Sequence, residues 1–220
     1  MGAASGSVAG RPEVWEVNAS HEIWVHDVDP LHGIGGVIPP AAGRTVIRID
    51  RTWPTMSVAS EIQSKAHATG GASVLWFVFH ASTANASLTE AEGGWEDYLF
   101  GGLSELGRDG VFSSNVAAFG LALRGLFSDS IRLLACGAAA RWNGMEICRR
   151  LAFHSQTVVI ASQDSQEYTT NARGEIDVGV WEGRVFKFLP NGEAVEWFVG
   201  PTASGSMAPT RSVMPRVTGR

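Results

Sequence analysis

The chain has 220 residues, 45% of them hydrophobic and 18% charged, and its formal net charge is −5. This hydrophobic fraction excludes global disorder, and the negative charge argues against a dedicated nucleic-acid-binding protein. Two cysteines are too few for a disulfide framework, and no apolar run is long enough for a membrane span.

Both ends of the chain differ in composition from its middle. Residues 1–12 are small and polar, which predicts a flexible lead, and they lack the basic start and apolar core of a secretory signal. Residues 201–220 are rich in Pro, Ser, Thr and Gly and contain no acidic residue, which predicts a disordered tail. We therefore expect one domain at 13–200, with a sheet core at about 45–165, in a cytoplasmic protein.

The first predicted elements are short strands and one helix. Two β-rich runs, 21–28 and 45–49, predict strands, with a Gly- and Pro-rich loop between them. Apolar residues at every fourth position predict a helix over 57–68. The apolar run 74–79 is continuous rather than alternating, which is typical of a strand buried on both faces.

A polar, Gly-rich stretch at 81–110 interrupts this pattern, and a loop of such length is often functional. An apolar stripe then predicts a helix over about 115–127, and the apolar run 131–136 predicts the next strand. Asn143 and Glu146 have the spacing of a capping box, which predicts that the following helix begins there.

The last part of the chain is predicted to be mainly β. Residues 157–161 predict a third buried strand, and further β segments follow within 176–199, where Asn191-Gly192 signals a hairpin. The repeated strand–helix–strand order predicts right-handed crossovers and a mainly parallel sheet. The predicted fold class is therefore α/β, with a mainly parallel sheet and a C-terminal β extension.

Two of the predicted strands end next to a residue whose side chain can take part in catalysis. The run 131–136 ends at Cys136 and is followed by the small-residue loop 137–140, and the run 74–79 is followed by His80. Open α/β sheets carry their ligands and chemistry at the carboxyl ends of their strands. A Cys and a His on neighbouring strand ends are the minimum parts of a thiol nucleophile and its base.

The segment IRLLACGAAARWNGMEICRRLAFHSQTVVIASQDS, residues 131–165, resembles the caspase-like (clan CD) cysteine peptidase fold when taken together with His80. This family includes caspase-like modules of bacterial surface proteins and toxins. The resemblance covers roughly residues 45–165 and implies a three-layer α/β sandwich. Where family members usually have Gly after the catalytic His, this chain has Ala81.

The resemblance implies thiol-dependent hydrolysis of peptide bonds, with Cys136 as nucleophile and His80 as general base and acid. A free thiol has a pKa of about 8.5, so it needs such a base at neutral pH. The backbone N–H groups of Ala81 and Gly137 are the expected donors to the oxyanion. A bacterial toxin or defence role is implied in the same way.

Two other functions remain open at this stage. One is a catalytically inactive caspase-like module that binds a partner protein, and the other is a hydrolase that acts on a non-peptide acyl substrate. For the peptidase we expect a peptide or protein substrate, no cofactor, no metal, no nucleic acid and no membrane.

Three further groups of residues invite interpretation. Asp164 follows the strand 157–161 and is predicted to bind a basic side chain of the substrate, the alternative being a solvated turn residue. Cys148 lies among apolar residues of a predicted helix and is predicted to be a core residue. His21, His26 and His32 lie near Asp27 and Asp29, but their spacing does not favour a zinc site, and we expect them to be surface histidines in a loop.

Overall fold

The structure, a computed structural model, describes residues 21–29, 34–79, 106–111, 114–164, 166, 168–177 and 181–199. Its strands are β1 Glu22–Asp27, β2 Arg44–Ile49, β3 Ala72–Val78, β4 Phe127–Leu134, β5 Val158–Ser162, β6 Thr169–Thr170, β7 Ile176–Asp177, β8 Arg184–Phe188 and β9 Ala194–Val199. Its helices are α1 Thr55–Ala68, α2 Val116–Ala122 and α3 Arg141–Ser155.

Seven of these strands form one sheet in the order β2-β1-β3-β4-β5-β8-β9. The first five in this order are parallel to one another. Strands β8 and β9 continue the sheet in antiparallel fashion, and β6 pairs with β7 in a separate hairpin. The predicted α/β class, with a mainly parallel sheet and a C-terminal β extension, is confirmed.

One face of the sheet is covered by all three described helices. Side chains alternate between the two faces along a strand, so every second residue contributes to this side. Leu75, Phe77 and Leu133 of the strands pack here with Ile62 of α1 and Leu151 of α3, and all five are completely buried. This main cluster holds most of the buried apolar surface and is the chief source of hydrophobic stabilisation.

The opposite face carries a smaller apolar cluster, which we call the loop-side cluster. Its buried members are Trp24, Ile34, Ile38, Val78, Leu134 and Ile176. The partly buried Tyr168 and Trp181 pack against it. In the described residues the covering segments are irregular chain and the small strand β7, so helices, sheet and irregular segments form three layers.

A ladder of aromatic and basic side chains crosses the loop-side face. Trp24 and Trp76 are register partners on β1 and β3, and their rings stack at 4.7 Å. The guanidinium groups of Arg44 and Arg132 lie 4.6 Å from the centroids of the Trp24 and Trp76 rings, respectively. Each such cation–π contact stabilises the fold by about 0.5–1 kcal/mol at exposed sites.

The predicted N-cap of the third helix was wrong by three residues, because the N-cap of α3 is Ala140 rather than Asn143 and the helix begins at Arg141. The helical hydrogen bonding already includes Ala140, whose carbonyl accepts from the Gly144 N–H at 3.2 Å. A Cβ at Gly144 would lie 2.7 Å from the Ala138 carbonyl oxygen, so glycine lets this helix approach the preceding loop closely. The helix start itself is marked by Ala140, whose backbone is extended with φ −68° and ψ 143°.

The predicted end of the second helix was also wrong, because α2 ends at Ala122 and β4 begins at Phe127, earlier than expected. Gly125 between them has a φ of +73°, which no helical residue adopts. The predicted hairpin at Asn191-Gly192 is confirmed, since the Leu189 N–H donates to the Glu193 carbonyl at 2.8 Å.

Several predictions concern residues outside the described part of the chain. These are the flexible lead 1–12, the tail 201–220 and the larger part of the Gly-rich stretch 81–110. Leu106, near the end of that stretch, and Val111, just after it, are completely buried in the main cluster. Within the described residues, no helix is long and apolar enough to cross a membrane.

Candidate functional site

Cys136 lies just beyond the carboxyl end of β4, in the middle of the sheet. The strand ends at Leu134, and the chain then turns through the loop 135–140 into α3. Gly137 has a φ of +60°, and its carbonyl accepts the Ala140 N–H at 2.7 Å. A glycine is favoured there because other residues seldom adopt a positive φ. Short side chains and a tight turn therefore hold the thiol at the strand end.

The thiol of Cys136 is partly buried and has a defined partner. Its S–H donates to the backbone carbonyl of Gln166, with a sulfur–oxygen distance of 3.4 Å. The Tyr168 hydroxyl donates to the carbonyl of Leu134, close to Cys136 in the chain. Burial raises the pKa of Tyr168 well above its usual value, and the nearby Cys136 adds to this rise. The segment after β5 therefore lies against the thiol.

The same segment and the last residue of β5 also contact the backbone of the Cys136 loop. The Gly137 N–H donates to the Asp164 carbonyl at 2.9 Å, and the Ala139 N–H donates to the Ser162 carbonyl at 2.8 Å. The expected oxyanion donor at Gly137 is thus engaged within the protein. Gly137 can stabilise an oxyanion only after its bond to Asp164 breaks.

A second set of hydrogen bonds anchors the end of β5 and the segment after it to residues 182–184. The Gln166 side chain donates to the Glu182 carbonyl and accepts the Glu182 N–H, both at 3.1 Å. The Ser162 hydroxyl donates to the Glu182 carbonyl at 2.6 Å. Because Gln166 is only 7% exposed, its amide is held away from competing water.

Asp164 is the predicted substrate-binding residue, and its carboxylate already has a backbone partner. Its Oδ2 accepts the Arg184 N–H at 2.9 Å. Gly183 has a φ of +66°, and a Cβ there would lie 1.8 Å from the same oxygen. The carboxylate therefore fixes the chain at 183–184, and its contact with a basic substrate side chain stays a prediction.

His80 and Ala81 lie outside the described residues, but the strands that lead to the two predicted catalytic residues are described. β3 and β4 are adjacent and parallel, and Val78 is the register partner of Leu134. The Phe79 N–H donates to the Leu134 carbonyl at 3.4 Å, so the pairing extends to the last described residue of this region. His80 follows Val78 by two positions, as Cys136 follows Leu134.

Cys148 has a different environment from Cys136. It lies on α3 in the main cluster, is completely buried, and its S–H donates to the Ala138 carbonyl at 3.6 Å. Burial raises its pKa far above the usual range. The prediction that Cys148 is a core residue is confirmed.

The expectation that His21, His26 and His32 lie on a surface loop was wrong for His26, which is buried on β1, and His32 lies outside the described residues. The buried His26 donates from Nε2 to the Ile34 carbonyl at 2.8 Å, and burial lowers its pKa. Burial raises the pKa of the adjacent Asp27, whose Oδ1 accepts the Asp29 N–H. His21 lies 3.0 Å from the Thr45 hydroxyl. Among the described residues, no three His, Cys, Asp or Glu side chains are grouped to hold a metal ion.

Sequence reasoning missed Gln166 and Tyr168, which both contact the Cys136 region. Their position just after the carboxyl end of β5 was the available signal, because neighbouring parallel strands end at the same edge of the sheet. No family model, curated protein or solved structure matches this chain. The geometry of the Cys136 site therefore carries the functional argument.

Proposed function

We propose that the protein hydrolyses peptide bonds in the manner of caspase-like cysteine peptidases, with Cys136 as nucleophile and His80 as general base and acid. The observation that carries this proposal is the register of β3 and β4, in which Val78 pairs with Leu134. Each proposed catalytic residue follows one of these partners by two positions in the sequence, and the carboxyl ends of adjacent parallel strands lie at the same edge of a sheet.

The proposed reaction has two steps. His80 takes the proton of the Cys136 thiol as the sulfur attacks the scissile carbonyl carbon, forming a C–S bond. Collapse of the tetrahedral intermediate breaks the C–N bond, and His80 returns the proton to the leaving amine. Water then attacks the thioester, with His80 again as base, and releases the acid and the free thiol.

A reactive thiol requires a reducing compartment, and the cytoplasm is the proposed one. Both cysteines are free thiols in the structure, and Cys148 is buried away from reagents. A peptide or protein is the proposed substrate. A role in bacterial toxin processing or defence is proposed on the family resemblance alone.

The test compares cleavage of a mixed peptide library by the wild-type chain and by Cys136→Ala and His80→Ala. We expect both variants to lose about three orders of magnitude in rate or more, because residues of one catalytic unit fail together. His67→Ala, which alters an exposed histidine of α1, is the matched control and should cleave like the wild type. Cleavage that persists in Cys136→Ala overturns the proposal.

One observation favours the alternative of an inactive module that binds a partner protein. The Cys136 S–H and the Gly137 N–H both have partners inside the protein, so the two groups needed for catalysis are engaged. The same library decides between the two functions. An absence of cleavage under conditions in which Cys136 is readily alkylated favours the inactive module.

A further inference from the structure

We propose that the segment after β5 is a latch that closes the Cys136 site and that must move away before the thiol reacts. The latch begins after Ser162, the last residue of β5, and the latch residues whose contacts carry this proposal are Asp164, Gln166 and Tyr168. This inference deepens the proposed function and rests on it for the identity of the reacting group. Its test measures thiol reactivity alone, so the latch and the peptidase can fail separately.

The inner side of the latch occupies two groups of the site at once. The Gln166 carbonyl accepts the Cys136 S–H, and the Asp164 carbonyl accepts the Gly137 N–H. A substrate carbonyl needs the sulfur at its carbon and N–H donors at its oxygen. Movement of one backbone segment therefore releases the nucleophile and a potential oxyanion donor together.

The outer side of the latch is held by the Gln166 side chain. Its amide pairs with both the N–H and the carbonyl of Glu182, as a neighbouring strand would. The Asp164 carboxylate adds a bond to the Arg184 N–H, and Ser162 adds one to Glu182. The segment 182–184 thus anchors the latch in its closed position.

Tyr168 marks the far end of the latch. Its hydroxyl donates to the Leu134 carbonyl, and its ring packs against the loop-side cluster. This bond ties the latch to β4 itself, close to the strand end that carries Cys136. The latch is therefore hydrogen-bonded both to the Cys136 site and to residues 182–184. Removal of either set of hydrogen bonds should favour the open state.

The experiment measures the rate at which iodoacetamide labels Cys136 in the full-length native chain, read by mass spectrometry at pH 8.5. Gln166→Ala should raise this rate about tenfold, because two buried hydrogen bonds that favour the closed state are lost. Gln63→Ala, a partly buried residue of α1, is the matched control and should label like the wild type. An unchanged rate in a folded Gln166→Ala overturns the latch.

Cys148 provides the internal check on folding, because it is completely buried. If Gln166→Ala unfolds the chain, Cys148 becomes labelled as well, and Tyr168→Phe then decides. This second variant keeps the ring and removes the hydroxyl, so it should speed Cys136 labelling severalfold while Cys148 stays protected. An unchanged Cys136 rate in Tyr168→Phe then overturns the latch.

The two proposals give distinct outcomes. Faster Cys136 labelling in Gln166→Ala without any peptide cleavage supports the latch and contradicts the peptidase. Cys136-dependent cleavage with no change in labelling supports the peptidase and contradicts the latch.

Discussion

The two faces of the sheet differ in what covers them and in the thiol that each holds. The face under α1, α2 and α3 carries the main cluster and the completely buried Cys148. The other face carries the loop-side cluster under irregular chain, and the partly buried Cys136 lies beside it. Packed helices provide stability, while segments fastened by hydrogen bonds are able to open locally. The proposed nucleophile therefore lies on the face that is expected to open locally.

The largest expected difference between the faces is the cost of removing a side chain. Phe77→Ala should lower the free energy of unfolding by about 3–5 kcal/mol, because Phe77 is completely buried in the main cluster. Val46→Ala on the loop-side face should cost about 1 kcal/mol, since Val46 is only partly buried. Urea denaturation measures both, and equal costs contradict the comparison.

The two thiols should differ in reactivity by about a thousandfold or more. Labelling of Cys148 requires global unfolding, which costs about 5 kcal/mol or more in a typical domain. Labelling of Cys136 requires only local opening of the segment that covers it. Mass-spectrometric mapping of iodoacetamide adducts in native protein measures both rates. Equal rates place both thiols in the same cooperative unit and remove the contrast between the faces.

Gly183→Ala should disturb the loop-side face selectively. A Cβ at this residue would lie 1.8 Å from Asp164 Oδ2 and would strain a φ of +66°. We expect a loss of about 2–3 kcal/mol in the free energy of unfolding and faster labelling of Cys136. Gly174→Ala is the matched control, because its φ is +71° and no atom lies within 4 Å of its Cβ position.

The control should lose about 1 kcal/mol from backbone strain and leave the labelling of Cys136 unchanged. If Gly174→Ala speeds the labelling as much as Gly183→Ala, loss of stability rather than displacement of Asp164 explains the effect. Thermal unfolding and the alkylation assay together separate these outcomes.

The sequence predicted best those features that depend on local pattern. The continuous apolar run at β3 predicted a strand buried on both faces, and Asn191-Gly192 predicted the hairpin between β8 and β9. The start of α3 was missed because its N-cap, Ala140, has no capping side chain, while Gly144 within the helix packs against the Ala138 carbonyl. A tertiary contact of that kind leaves no periodic signal in the sequence.

The candidate site likewise combines features that the local sequence predicts with contacts that only the fold creates. The position of Cys136 beyond a strand end followed from the apolar run before it and the small residues after it. The role of Gln166 depends on Glu182, a residue brought near by the antiparallel pairing of β5 with β8. Neither residue has a distinctive neighbour in the chain, so only the fold reveals the contact.

The smallest expected effect is a pH dependence that belongs to the loop-side face. Burial lowers the pKa of His26, which donates to the Ile34 carbonyl, so the folded protein takes up a proton here only at a lower pH than the unfolded chain does. The unfolded chain takes up a proton at this residue near pH 6.5. Stability should therefore fall as the pH drops below about 6.5 and should level off below the pKa of the folded state.

His26→Gln removes this titration and should flatten the urea midpoint between pH 7 and pH 5, because the glutamine side chain stays neutral throughout. His67→Gln, at an exposed position of α1, should keep the wild-type slope in this range. A slope that persists in His26→Gln shows that another group causes it. Comparing the urea midpoints of both variants with the wild type at each pH thus isolates the contribution of the buried His26 on the loop-side face.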